Sequence, residues 1–257
     1  MDSGLGLLAA TAALRALRPD ADLVLSTDPD GMPWGPRTPA DVTEHALACA
    51  RAAAAHRPDA LIVACNTASV HALDAIRAEL EPGIPVIGTV PAIKPAAATG
   101  GPVAIWATPA TTGSPYQRGL IRDFADGVDV TEIPCPGLAE AVEHADEAAI
   151  DAAVADAAAR TPARIRALVL GCTHYELLQD RIRAAVGPLL ADGPDTLTLH
   201  SSAQAVAGQA LRRAAPSAVA ATGGGSLLVL RSGRTEELPP AVLHYPEGRG
   251  LLAGAQV

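Results

Sequence analysis

The sequence predicts an α/β protein with mainly parallel sheets, built from two α/β units that face each other across a cleft. Three observations lead there. Two stretches repeat one phrase, Ala60-Leu-Ile-Val-Ala-Cys65-Asn-Thr and Ala167-Leu-Val-Leu-Gly-Cys172-Thr-His. Strand-like and helix-like segments alternate as far as an alanine-rich helix ending near Arg213, the pattern of parallel strands covered by helices. The apolar runs are short and continuous, too brief for a core helix, as strands buried on both faces read.

In chain order, Asp2-Ser3-Gly4-Leu5-Gly6 is a polar, glycine-bearing entry to a helix from about Leu5 to Leu17. Asp or Ser suits an N-cap there, and glycine suits the turn. Strands are expected at Leu23–Ser26, Ala60–Ala64, Val86–Gly88, Val103–Trp106, Val128–Ile133, Ala167–Leu170 and Thr196–His200. Helices are expected at Ala40–His56, Ser69–Glu79, Pro115–Phe124, Glu147–Ala159 and Leu177–Val186. Pro82-Gly83 and Thr99-Gly-Gly-Pro102 punctuate the middle and bracket the crossover between halves. The run Glu140–Arg160, rich in Ala, Glu and Asp, reads as solvated helix surface. At Thr222-Gly-Gly-Gly-Ser226 the character changes, and Leu227–Leu230 with Ser232-Gly233 suggests an irregular β-hairpin and then a loose end.

Composition narrows the function classes. Only 2% of residues are aromatic against 49% hydrophobic, so the interior is built from Ala, Val and Leu and depends on many small contacts. A net charge of -9 disfavours nucleic acid and anionic membranes, which both need a basic footprint. An anionic small molecule remains compatible, because backbone nests and helix N-termini hold carboxylates without Lys or Arg. No apolar run approaches the roughly 18 residues that span a bilayer. The start lacks the basic flank and apolar core of a signal peptide, and a cytoplasmic location is expected. Cys49, Cys65, Cys135 and Cys172 form no CxxC pair, which fits free thiols.

Chemistry concentrates at Cys65 and Cys172. Each ends a strand beside a helix N-terminus, where open α/β sheets bind ligands and where exposed amides favour an anion and a thiolate. A single such cysteine would suggest a nucleophile, or inert packing. Two in matched contexts suggest opposed acid–base groups. They stand far apart in the chain with no His-rich cluster, so a metal site is not expected. His174, two residues after Cys172, is a proton partner for it or a hydrogen-bonding cleft residue. Pro33-Trp34-Gly35 is either a simple turn or a place where amides meet a ligand with the indole as a wall. Thr108-Pro-Ala-Thr111 alone reads as a helix cap. Gly4-x-Gly6-x-x-Ala9 fits the loose dinucleotide fingerprint, with Asp22 or Asp28 as the ribose acid, but only three residues precede it where a strand is required.

Together these blocks resemble the cofactor-independent aspartate/glutamate racemase superfamily, and within it the glutamate racemases. The matching segments are Asp2-Ser-Gly, Pro33-Trp-Gly35, Ala64-Cys-Asn-Thr-Ala-Ser69, Val90-Pro-Ala-Ile-Lys-Pro95, Thr108-Pro-Ala-Thr111, Val142-Glu143 and Gly171-Cys-Thr-His-Tyr175, in the family's order over roughly residues 2–212. The resemblance implies two pseudo-symmetric α/β domains with the active site between them. The first would be residues 1–92, completed by 203–257, and the second residues 93–202. Residues 203–257 would supply a returning helix and a divergent tail. Cys65 and Cys172 would be the two catalytic bases, with Asp2, His174 and Glu143 assisting proton transfer. Substrate contacts would come from Asp2, Ser3, Trp34, Gly35, Asn66, Thr67, Thr111, Thr173 and His174.

The implied reaction is interconversion of L- and D-glutamate, supplying D-glutamate for peptidoglycan, with neither pyridoxal nor metal cofactor. The partner is a small anionic amino acid, without nucleic acid or membrane, and a homodimer is compatible. Alternatives are a racemase for another amino acid such as aspartate, or a non-catalytic binding protein that keeps the pocket. The chain departs from the family pattern at Leu7 (usually Gly), Trp34 (usually Tyr) and Glu176 (usually Pro), and after Ala221. The family's first strand normally precedes Asp-Ser-Gly, so an inner strand is expected from a start upstream of Met1 or not at all.

Overall fold

A computed structural model of the chain describes residues 1–214 and 225–254. In order, the first half contains α1 (Leu7–Leu17), β1 (Leu23–Thr27), α2 (Pro39–Ala54), β2 (Leu61–Val63), α3 (Asn66–His71), α4 (Leu73–Leu80), β3 (Val86–Gly88), α5 (Ile93–Ala97), β4 (Val103–Ala107) and α6 (Pro115–Phe124). The second half contains β5 (Val130–Pro134), α7 (Leu138–His144), α8 (Glu147–Ala159), β6 (Ala167–Leu170), α9 (Gln179–Val186), β7 (Thr198–His200), α10 (Ala203–Arg213), β8 (Leu227–Arg231), β9 (Arg234–Thr235) and α11 (Pro246–Gly254). The chain is α/β, and its strands pair in parallel except at the β8–β9 hairpin. Two compact units result: Met1–Val90 with the described residues from Ala203 onward, and Pro91–Ser202. Among the described residues no helix is long and apolar enough to cross a membrane.

In the first unit β1 pairs in parallel with β8, from Leu23 opposite Leu227 to Thr27 opposite Arg231. A separate parallel pair joins β2 to β3, with Leu61 opposite Val86. Met1–Ser3 run between the two pairs and bond to both. The Met1 amino group donates to Ile62 O at 2.7 Å, and Ala64 N–H donates to Met1 O at 2.8 Å. On the other side Asp2 N–H donates to Ser26 O and Asp28 N–H to Ser3 O, each at 3.1 Å. The core beneath is made of small residues from α2 (Val42, Ala46, Ala50) packed on Val63, Ile76 and Val86. Thr38 caps α2 by accepting from Asp41 N–H, with Pro39 in its first turn, where the missing N–H costs nothing.

The tail departs from its sequence-based expectation. Leu227–Arg231 does turn back as a hairpin with β9, but β8 is also a parallel partner of β1, so it belongs to the sheet. The segment after β9 is not a loose end: Val242, Tyr245 and Leu251 are buried and α11 packs on α1. Apolar residues in this segment have a surface to cover, which local composition does not reveal. Of the Thr222-Gly-Gly-Gly-Ser226 stretch, where the sequence changes character, residues 222–224 lie outside the described residues.

The second unit is a four-stranded parallel sheet in the order β5-β4-β6-β7. Every residue of β4 and β6 is buried, as expected of inner strands. Trp106 fits inside because its indole N–H donates to Thr161 Oγ1 at 3.0 Å. The stretch expected to be one solvated surface is two helices with a buried face. Ala145, in the left-handed region at φ 51°, ends α7, and Asp146 restarts the chain by capping α8. Leu138, Val142, Ile150 and Val154 face inward. Alanine and acidic residues dominate the composition there, and four apolar residues at helical spacing decide the packing. The expected helix at Ser69–Glu79 is likewise divided, into α3 and α4.

Candidate active site

Both cysteines of the repeated phrase are N-caps. Cys65, extended at φ -142°, comes after β2 and opens α3. Cys172, extended at φ -138°, comes after β6 and opens the 3-10 helix Thr173–Leu178, after which α9 begins at Gln179 rather than Leu177. At each position the chain leaves a buried parallel strand, so the thiol stands at the strand's carboxyl end beside the first backbone N–H groups of the following helix. Gly171 before Cys172 is required by a close approach. Its N–H donates to Trp106 O at 2.7 Å, and a Cβ there would lie 2.8 Å from that oxygen.

In the first unit, Asp2 and Ser3 reach the same strand ends as Cys65, through the Met1 bonds to Ile62 and Ala64. Asp2 is fully buried, and its Oδ1 accepts from Ser3 N–H at 2.7 Å and from Ser3 Oγ at 3.4 Å. Asn66 is buried and Thr67 partly exposed in the first turn of α3. Gly35 is partly exposed, with no atom within 4 Å of where a Cβ would sit. Trp34 is different from the expected pocket wall: it is buried in the core with Val42, Ala46 and Cys49, at 1% exposure. Its indole N–H donates to Asp28 Oδ2 at 2.9 Å. A buried indole needs an acceptor, and the nearby carboxylate decides where the ring lies.

Asp28 anchors this loop, a role that sequence alone did not suggest. Its carboxylate also meets His45 Nδ1 at 2.8 Å and accepts from Gly31 N–H and Ser232 Oγ–H, each at 3.2 Å. The legible signal was a carboxylate in the Asp28-Pro-Asp-Gly31 turn; two of its four partners come from α2 and from beyond β8. The alternative role for Asp28, as a ribose acid, gains no support from a carboxylate already committed to four groups.

In the second unit, Cys172, His174 and Glu143 form a line. Cys172 Sγ lies 3.9 Å from His174 Nδ1, and His174 Nε2 lies 3.0 Å from Glu143 Oε2. His174 and Glu143 are nearly buried, at 8% and 13% side-chain exposure, so water screens their interaction weakly. The carboxylate holds the orientation of the ring that faces the sulfur. Thr173 is buried next to Cys172. Thr111 sits in the turn after β4: its N–H donates to Thr108 O at 3.0 Å, and the two hydroxyls lie 3.1 Å apart. That turn is not the helix cap suggested by sequence; Ser114 caps α6, accepting from Gln117 N–H.

The other two thiols are packing residues. Burial pushes Cys49 and Cys135 each up to about 12. The Tyr175 hydroxyl, also raised by burial, donates to Cys135 O at 3.2 Å and holds the segment after Cys172 against the end of β5. Glu176 is buried and accepts from both the N–H and the hydroxyl of Ser202, at 2.8 and 2.7 Å. It thus ties the 3-10 helix to the segment after β7.

Comparison with known proteins places this arrangement. Residues 7–199 match the family of Asp/Glu/hydantoin racemases. A glutamate racemase of Roseiflexus sp. is 40% identical over 209 residues, 78% of this chain and 73% of that protein. One of Pseudomonas syringae pv. tomato is 33% identical over 229 residues, 86% of this chain and 80% of that protein. Among solved structures, Escherichia coli glutamate racemase in complex with L-glutamate and the activator UDP-MurNAc-ala superposes with a TM-score of 0.77. It is 28% identical and covers 98% of this chain and 92% of its own. The Thermus thermophilus glutamate racemase with β-chloro-D-alanine gives 0.68 at 27% identity, covering 99% and 91%. With residues 7–199 matched by the family and relatives up to 40% identical over most of both lengths, the chain belongs to the Asp/Glu/hydantoin racemase family and is an amino-acid racemase.

Proposed function

We propose that the chain interconverts L- and D-glutamate without a cofactor, by two-base proton transfer at Cα through Cys65 and Cys172. The observation that carries this reading is the Cys172–His174–Glu143 line, at one of two strand-end cysteines that cap their helices in the same extended conformation. The relatives' recorded substrate, glutamate, names the amino acid.

Racemisation removes the Cα proton from one face and returns one to the other. One cysteine therefore acts as thiolate and the other as thiol, with the roles exchanged for the opposite enantiomer. A free thiol titrates near ~8.5, so the base needs help to ionise at neutral pH. Cys172 has His174, held by Glu143, as its proton partner. Cys65 opens α3, and Asp2 serves as its proton relay. As the C–H bond breaks, its electron pair delocalises onto the α-carboxylate. Backbone N–H groups, with Ser3, Gly35, Asn66, Thr67, Thr111 and Thr173, supply the donors that stabilise that charge. Trp34 acts from within the core, by fixing the loop that presents Gly35. Supplying D-glutamate for peptidoglycan, from the cytoplasm, is the cellular role that fits this activity.

The decisive assay tracks optical rotation of D- and L-glutamate, with D- and L-aspartate in parallel, after exhaustive dialysis against chelator. Interconversion of both glutamate enantiomers by the dialysed protein is expected. Turnover of aspartate alone, or activity restored only by metal or pyridoxal phosphate, would overturn the reading.

A further inference from the structure

The residues after Cys172 sit in a conformation that needs outside support. Thr173–Leu178 is a 3-10 helix of six residues, and all six are buried. Helices of this type have poorer hydrogen-bond geometry and seldom run beyond three or four residues. Tertiary partners therefore decide where this one lies. With three residues per turn, successive side chains leave the axis about 120° apart. His174, Tyr175 and Glu176 accordingly point three ways, and each meets a different partner. His174 Nε2 lies 3.0 Å from Glu143 Oε2 of α7. The Tyr175 hydroxyl donates to Cys135 O, just past β5, at 3.2 Å. Glu176 Oε1 accepts from the N–H and the hydroxyl of Ser202, just past β7, at 2.8 and 2.7 Å.

These partners belong to opposite sides of β6. In the order β5-β4-β6-β7, β5 is one edge of the sheet and β7 the other. Cys135 and α7 both follow β5 in the chain, so His174 and Tyr175 tie the helix to the elements of that edge. Glu176 ties it to the end of β7. The carboxylate is buried, and a buried carboxylate is costly unless hydrogen bonds satisfy it, so its place depends on the Ser202 clasp. Proline, usual at this position in the family, has no side-chain acceptor, so the clasp is a departure made by this chain.

The contact that depends on the clasp is a long one. Cys172 Sγ and His174 Nδ1 are 3.9 Å apart, and His174 shares a single turn with Glu176, so a slide or rotation of that turn moves both. We propose that Glu176 is a positioning residue of the racemase: by clasping Ser202 it holds the 3-10 helix in the setting that keeps the His174 ring beside Cys172. The proposal rests on the reading of Cys172 as one of two bases. A misplacement of about 1 Å at a reacting group costs roughly 10²-fold in rate, which sets the scale of the effect.

The test reads Cα–H exchange in D₂O with one base at a time. Cys65→Ser leaves Cys172 as the base, and Cys172→Ser leaves Cys65. Adding Glu176→Leu, which has similar length and no acceptor, should slow exchange about 10- to 100-fold in the first background and leave it nearly unchanged in the second. Glu176→Gln, whose amide oxygen can accept both bonds, should recover most of the loss. With both cysteines present, Glu176→Leu should lower kcat with little change in KM. Equal slowing in both backgrounds, no slowing in either, or a Gln variant no better than Leu would overturn the positioning role. If Glu176→Leu does not fold, Ser202→Ala removes one of the two bonds in its place. Slower exchange through Cys172 alone then supports the role, and unchanged exchange overturns it. Absence of exchange in both single cysteine variants would sink the two-base reading instead. The positioning role is then decided by kcat and KM of the Leu and Gln variants with both cysteines in place.

Discussion

At the scale of residues, four cysteines of one chemistry are separated by where they sit. Cys49 and Cys135 are held as thiols by burial, each pushed up to about 12, whereas Cys172 is partly exposed beside His174. Iodoacetamide at mildly alkaline pH should therefore label Cys172 in the folded protein and spare Cys49 and Cys135 until it is denatured. Mass spectrometry that finds the buried pair alkylated as fast as Cys172 would contradict this. Catalytic roles are separated by isotope. In D₂O, Cys65→Ser and Cys172→Ser should each lower racemisation by roughly 10²–10⁴-fold, the usual effect of losing an acid–base group. Each should still exchange Cα–H of one enantiomer only, and of opposite enantiomers. Exchange surviving with the same enantiomer in both variants would exclude opposed bases. Glu143→Gln keeps the shape but removes the charge that orients His174. It should slow kcat most for the enantiomer that retains exchange in Cys65→Ser, with little change in KM. An equal loss for both enantiomers would mean that Glu143 serves the fold rather than Cys172.

At the scale of elements, the strand ends set the positions of these groups, and backbone spacing sets the strand ends. Gly171→Ala would place a methyl group 2.8 Å from Trp106 O, between inner strands that have no room to part. Urea unfolding should show a loss of about 1–3 kcal/mol, typical of overpacking. Gly35→Ala, with nothing within 4 Å of the new Cβ, should leave stability within about 0.5 kcal/mol of the parent. Comparable losses in the two variants would mean that the β4–β6 approach is not the constraint. In β7, His200 has its pKa lowered by burial, so the folded chain binds its proton less readily than the unfolded one. The unfolded state then takes up more protons as pH falls below about 6.5, so stability declines in that window. His200→Asn should flatten the decline in melting temperature between neutral and mildly acidic pH, and an unchanged slope would assign it to other groups.

At the scale of the whole molecule, much of the fold is legible in the amino-acid order. The strands Val86–Gly88 and Ala167–Leu170 and the helices Pro115–Phe124 and Glu147–Ala159 end where the sequence places them, because apolar runs and turn residues act locally. The α/β class is evident from their alternation, and the racemase family from blocks spread along the chain. The tail is not legible. Leu227–Arg231 looks the same whether it frays or pairs, and only the edge of β1 makes it a sheet strand. Ending the chain at residue 214 should accordingly abolish cooperative unfolding, since it removes β8 from β1 and α11 from α1. A truncated protein with an unchanged denaturation midpoint would restore the loose end. The candidate site divides in the same way. Residue types at the strand ends are written in the sequence, which is why Cys65 and Cys172 stand out with their neighbours Asn66, Thr67, Thr173 and His174. Their partners are not. Glu143 meets His174 across 31 positions, and Trp34 turns inward because Asp28 accepts its N–H. Sequence by itself determined the elements, the class and the chemistry available, since periodicity and propensity are properties of neighbours along the chain. Tertiary structure alone decided which buried polar groups satisfy one another, because that choice depends on groups brought together only when the apolar faces close.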